Sequence, residues 1–157
     1  MKRLSANSQQ GAAAIEFSLV FVILFVIFYG MVGYFIPFLL VSSYEEIAAD
    51  ALASAVREPN YFAYEQMDVQ QQQSYLQARN EITSRVVESS WIPPRWREPC
   101  SGYGGRYLKV DTSSGIVWST CLRNSTPNSI LPTLSLMGWE IPSLPDEIRG
   151  EAQLRVR

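Results

Sequence analysis

The sequence predicts an α+β protein: a long apolar N-terminal helix, then a small exported domain with a second helix and a short antiparallel β-sheet. Three observations predict it. Phe17–Tyr44 is a run of 28 positions without a charge. A helical spacing of apolar residues returns between Asp68 and Ser90. From Gly105 the period drops to two on either side of Thr112-Ser113-Ser114-Gly115.

The 157 residues carry 13 basic and 15 acidic side chains, a net charge of −2, and no histidine. A balance this close to neutral lacks the basic face of a general nucleic-acid binder. Without histidine there is no imidazole for acid–base chemistry, and most zinc, copper and non-haem iron sites lose their usual ligand. No cofactor is expected. The length allows one ordinary domain, or a small domain plus an appendage. The uncharged run makes the second reading the better one.

The chain opens on MKRLSANSQQG, short, polar and basic through Lys2 and Arg3. The block Phe17–Val41 follows, 25 residues that reach about 38 Å as a helix against roughly 30 Å of bilayer hydrocarbon. One tilted helix therefore spans. Cations before it and Glu45 and Glu46 after it place the N-terminus in the cytoplasm and export the rest. Pro37 is expected to kink the helix near its far end. A cleaved secretory signal fits poorly, because its apolar core runs only about 7–15 residues with a small-x-small site close behind. The nearest such site, Ala51-Leu52-Ala53, lies well beyond the apolar run and after two glutamates. A plain signal anchor leaves Glu16, an acid at the edge of the apolar block, without a reason.

Gly11-Ala12-Ala13-Ala14-Ile15-Glu16-Phe17 resembles the processing site of type IV pilin-like precursors. In that class a prepilin peptidase cuts after a glycine, and the fifth mature residue is glutamate. Here cleavage after Gly11 would make Ala12 the first residue and Glu16 the fifth. More narrowly, GAAAIEFSLVFVILF is similar to the TadE/TadF-like minor pseudopilins of the tight-adherence (Flp/Tad) pilus. The resemblance covers residues 1–57. It departs from the Flp major pilin, whose glutamate-tyrosine pair is Glu16-Phe17 here and whose mature chain is much shorter. What it implies is a pseudopilin that initiates, caps or anchors pilus assembly from the bacterial inner membrane, with a periplasmic C-terminal domain. The implied partners are the prepilin peptidase, the Flp major pilin, another TadE/TadF-like pseudopilin and the inner-membrane assembly platform. A type II secretion pseudopilin and a signal-anchored periplasmic binding module are the alternatives.

The resulting division is a leader over 1–11, a helix over 12–57 and an exported α+β domain over 58–157. The helix continues past the membrane, with Ile47, Ala48, Ala51, Leu52, Ala55 and Val56 on a narrow small-residue face and Pro59 at its end. That face is expected to pack within its own domain. The second helix runs from Asp68, its cap, to about Ser90. Tyr75, Leu76, Ile82, Val86 and Val87 share a stripe with Val69, Gln72 and Arg79, while Gln70–Gln73 are expected on solvated surface. Trp91-Ile92-Pro93-Pro94 stops the helix.

Arg106–Asp111 and Ile116–Leu122 read as a hairpin with a loop of two or four residues. That register sets Val110 opposite Val117 and Leu108 opposite Ser119, with Lys109–Trp118 and Tyr107–Thr120 on the other surface. Residues 124–150 hold four prolines and are expected to be mostly loop. The closing EAQLRVR alternates and is expected to add a strand to the hairpin.

Cys100 and Cys121 are the only cysteines, both in the exported part, and an even count in an oxidising compartment predicts a disulfide. Closing about 22 residues is worth roughly 3 kcal/mol by chain entropy. No metal site is expected, since there is no histidine and no C-x-x-C spacing. There is no G-x-S-x-G elbow and no histidine base, and Gly102-Tyr103-Gly104-Gly105 lacks the Gly-Lys-Ser/Thr of a phosphate loop. The pairs Glu45-Glu46 and Asp146-Glu147 read as solvated surface, and the four tryptophans as core. Hence no enzymatic site is expected.

Overall fold

A computed structural model describes residues 7–113, 115–126, 134–136 and 138–156. Helix α1 runs Asn7–Ala55, 49 residues, with Pro37 inside it. At 1.5 Å per residue it is about 74 Å long. A 3-10 helix follows over Pro59–Gln66, then α2 over Val69–Glu88 and a 3-10 turn over Pro94–Trp96. Among the described residues six strands follow: β1 Glu98–Pro99, β2 Leu108–Asp111, β3 Val117–Asn124, β4 Leu134–Leu136, β5 Trp139–Ile141 and β6 Ile148–Arg155. The leader residues 1–6 and residues 127–133 lie outside the described residues.

The chain divides into two compact units. One comprises residues 1–36 with 133–143, the other 37–132 with 144–157.

In the second unit β3 is the central strand. Along one edge it pairs with all of β6, from Val117↔Arg155 to Asn124↔Ile148. The other edge is shared by β1 and β2, and every pairing is antiparallel. The closing strand thus joins the sheet as its alternation predicts. The helices cover one face. Leu40, Tyr44, Ala48 and Ala51 of α1 pack with Val87 of α2, Ile92, Leu122 and Ile148. A second cluster joins Leu52 and Ala55 to Tyr64, Leu108, Ile116 and Trp118. Small residues let α1 approach the sheet closely, most of all at Gly150. A Cβ there would stand 2.5 Å from the Glu45 backbone nitrogen and the Tyr44 carbonyl carbon.

Helix α2 starts as predicted. Asp68 Oδ1 accepts from the Gln71 backbone N–H (2.8 Å), and Gln71 Oε1 accepts from Asp68 N–H (3.2 Å), a reciprocal capping box. Gln72 donates to the Tyr64 and Met67 carbonyls, so two of the four consecutive glutamines tie down this helix start. Val69 is exposed, not on the buried stripe, because it lies in the first turn before the helix reaches the sheet. Helix α1 ends at Ala55, earlier than Pro59, which opens the next 3-10 helix. Likewise α2 ends at Glu88, before Trp91-Ile92-Pro93-Pro94.

The hairpin register differs from expectation by one residue: Leu108 faces Thr120, Lys109 faces Ser119 and Val110 faces Trp118. Five positions, 112–116, separate Asp111 from its partner Val117, and an odd loop moves every pair by one. Asp111 accepts from Ser113 N–H (2.9 Å), and Gly115 takes φ +103°, open to glycine at no steric cost. The gain is burial of Trp118, fully covered on the same face as Leu108. A slip of one would turn it outward. The stretch 124–150, expected to be mostly loop, also carries the end of β3, β4, β5 and the start of β6 among its described residues.

Candidate functional site

The N-terminal half of α1 is an almost uncovered apolar surface. Ile15 and Phe17 are each 72% exposed, and Phe21, Leu24, Phe28 and Met31 are exposed in turn. Phe17 stacks on Phe21, and Phe25 on Tyr29, one helical turn apart, each at 6.4 Å between centroids. Ser18 returns its hydroxyl to the Ala14 carbonyl at 2.8 Å, so even this polar group is satisfied within the helix. The helix is long and apolar enough to cross a membrane.

Gly11, Ala12, Glu16 and Phe17 all lie on this helix and are exposed. Ala12 and Glu16 are one turn apart, about 6 Å along the axis. A Cβ at Gly11 would meet nothing within 4 Å. Neither close packing nor a left-handed backbone requires glycine there, while glycine inside a helix costs about 1 kcal/mol relative to alanine. Folding therefore gives no reason for Gly11.

Cys100 and Cys121 are bonded to each other, with Cα atoms 5.6 Å apart. The bridge pins the segment after β1 to β3 on the sheet face away from the helices. Tyr103 lies over the same face, donating to Glu151 Oε1 (2.8 Å) and sitting 3.0 Å from Ser119 Oγ. Burial pushes its hydroxyl up to about 12, with Glu151 adding to the rise and the Ser119 contact opposing it. Gly102, Gly104 and Gly105 turn this segment with φ of 88°, 61° and 74°. It carries the chain from β1 to β2.

Other residues take different places from those expected. Glu147 is half-buried and holds Arg123 at 3.1 Å, so it is no merely solvated acid. Trp91 is 67% exposed and so is not core, because the chain turns outward there before Ile92 re-enters the core. Trp118 is the hub of an aromatic group, with Tyr64 and Tyr75 edge-on at 5.4 and 6.1 Å.

A feature unassigned from sequence lies between α1 and α2. Arg57, Arg79 and Arg85 line a groove of about 360 Å³ with Ser54, Glu58, Ile82 and Val86. Arg79 is buried, stacks over the Tyr75 ring at 4.8 Å and pairs with Glu58. An arginine on an otherwise apolar stripe was the available signal. The Glu58 carboxylate lines the same groove, so one of its three guanidinium groups already has an acidic partner. Among the described residues no group of three or more cysteine and carboxylate side chains converges to hold a metal. No family model, curated protein or solved structure matches the chain.

Proposed function

We propose that the protein is a minor pseudopilin of TadE/TadF-like type, a non-enzymatic inner-membrane component that initiates, caps or anchors a tight-adherence pilus. Gly11 carries the reading. It is a glycine without a structural task, five residues before the acid at the border of an exposed apolar helix. A prepilin peptidase that cuts after Gly11 would release the Lys2/Arg3 leader in the cytoplasm and leave Ala12 with a new α-ammonium group.

Glu16 then serves assembly. Its carboxylate can meet its own N-terminus or, in an assembly, the N-terminus of a neighbouring subunit. Removing one partner from a buried pair costs about 3–5 kcal/mol. The pair therefore sets axial register. The partners are the major pilin, a second pseudopilin and the membrane assembly platform, and the domain beyond α1 faces the periplasm.

Mass spectrometry of the mature N-terminus is the deciding experiment. Cleaved protein starts at Ala12, and Gly11→Val keeps the full-length precursor. An intact Met1 terminus in cells that make the peptidase overturns the proposal and leaves a signal-anchored binding module. Glu16→Ala should insert and still be cut but lose co-purifying pilus partners and surface pili. Co-purification with secretion-system components instead would assign the pseudopilin to type II secretion.

A further inference from the structure

We propose that the outer edge of β6 is a docking site for an extended segment of another protein, which joins the sheet as a further strand. Val156 N–H donates to the Ile116 carbonyl at 2.9 Å, and the register with β3 runs unbroken from Val117↔Arg155 to Asn124↔Ile148. Backbone groups alternate sides along an antiparallel strand. Those of Gly150, Ala152 and Leu154 therefore turn towards β3, and those of Arg149, Glu151 and Gln153 turn away from it. Cys121 agrees, since its N–H goes to the Tyr107 carbonyl on the other side and leaves Glu151 opposite it unbonded. Among the described residues β6 pairs with β3 alone. At the far side of the sheet, Asn80 of α2 accepts the outward Leu108 N–H at 3.3 Å and caps β2. The fold covers that edge and leaves the β6 edge without a cap.

What joins this edge is specified on both of its faces. On the helix face, Ala152 and Leu154 are half-buried and share a groove of about 300 Å³ with Ala49, Leu52, Ala53 and Val56. An added strand sets its alternate apolar side chains there. On the other face Arg149, Glu151 and Gln153 are exposed. Opposite charges across a pair stabilise it and like charges repel, so the strand carries an acid opposite Arg149 and a base opposite Glu151. Main-chain bonds then supply affinity, and the groove and the charges supply selectivity.

A second copy does not meet these terms within one membrane. Helix α1 and β6 run the same way, since Gly150 lies against Tyr44 and Glu45, and Ala152 and Leu154 lie against Leu52 and Val56. Two copies joined through antiparallel β6 strands are related by a two-fold axis across the strands, which reverses α1 between them. With α1 read as a membrane span, both copies enter the lipid from one side, and reversed helices cannot. The occupant is therefore a segment of a different chain.

The test uses full-length protein in detergent micelles and the end-blocked peptide Thr-Val-Thr-Val-Lys-Val-Glu. In antiparallel pairing its lysine meets Glu151 and its glutamate meets Arg149. A second peptide has lysine and glutamate exchanged. The first should slow hydrogen exchange at the Glu151 and Gln153 amides roughly tenfold or more. The second should bind roughly fivefold more weakly. Gln153→Pro removes an outward N–H and no bond to β3, so it should keep the wild-type melting curve and lose the peptide. Ala53→Trp fills the groove from the helix side and should weaken binding with the strand intact.

No protection by the first peptide, equal binding of the two, or binding that survives either substitution overturns the docking site. Light scattering settles the occupant. Wild-type dimers that Gln153→Pro dissociates would overturn the choice of a different chain, and with it the common orientation of α1 in the membrane.

Discussion

Single atoms decide two questions in this chain. At Gly150 a methyl group would stand 2.5 Å from the backbone of Tyr44 and Glu45, where neither helix nor strand can give way cheaply. Gly150→Ala should therefore destabilise the protein by about 3 kcal/mol, the upper end of overpacking costs. Gly11→Ala, equally a glycine change, should cost no stability. Denaturant unfolding of the two variants checks the contrast, and equal losses would contradict it. At Tyr103 the phenol is favoured in its neutral form, with its hydroxyl pushed up from 10.0 to about 12. A raised value means that its contribution is intact below pH 10 and is lost as pH climbs from 10 towards 12. Burial also raises Tyr64, Tyr75 and Tyr107, so wild-type stability should fall across that window. Tyr103→Phe should weaken the fall, as unfolding titrations at stepped pH would show. None of this was legible in sequence, because it depends on which elements meet.

Elements were legible where their signals are local. The second helix announces itself through Asp68, a 3.6-residue stripe and a stop before two prolines, and its cap closes as expected. The apolar span is equally plain. The hairpin strands were readable but their pairing was not. Five loop positions and the burial of Trp118 set the register, and only the second depends on the rest of the fold. The β4–β5 ribbon escaped because three-residue strands among prolines carry too short an alternation to separate from loop. Arg79 escaped as a feature because its partner, Glu58, lies on a different element. The disulfide was legible from the cysteine count and the expected export, although its place on the sheet was not. The bridge joins the end of β1 to β3, which already pair through Glu98↔Arg123 and Pro99↔Leu122. Native geometry thus survives its removal, and the loss falls on the unfolded chain. Cys100→Ser should lower stability by about 3 kcal/mol while leaving N-terminal processing at wild-type levels. A variant that loses processing as well would place the bridge's role elsewhere.

At the scale of the whole molecule, helix α1 belongs to two environments. Its first half presents apolar side chains outward along about 30 Å, and its second half is the spine of the helix-and-sheet fold. The sequence reading separates a helix ending at 57 from a domain beginning at 58. The physical boundary lies earlier, because Leu40, Tyr44, Ala48, Ala51, Leu52 and Ala55 supply one wall of both core clusters. The Tyr44 hydroxyl also donates to the Trp96 carbonyl, joining α1 to the segment that leads into β1. A chain cut at residue 58 would strip the α1 side chains from Trp118, Leu122 and Ile148 and open one side of both core clusters to water. At about 1.5–3 kcal/mol for each fully buried apolar side chain, losing that cover is comparable with the 5–15 kcal/mol by which a domain of this size is usually stable. Residues 37–157 should therefore fold cooperatively in mild detergent with the Cys100–Cys121 bridge formed, whereas residues 58–157 should show no cooperative thermal transition. Circular dichroism melting of the two fragments separates the cases. A sharp transition in the shorter one would mean that the sheet and α2 hold together without α1, and that α1 serves the membrane alone.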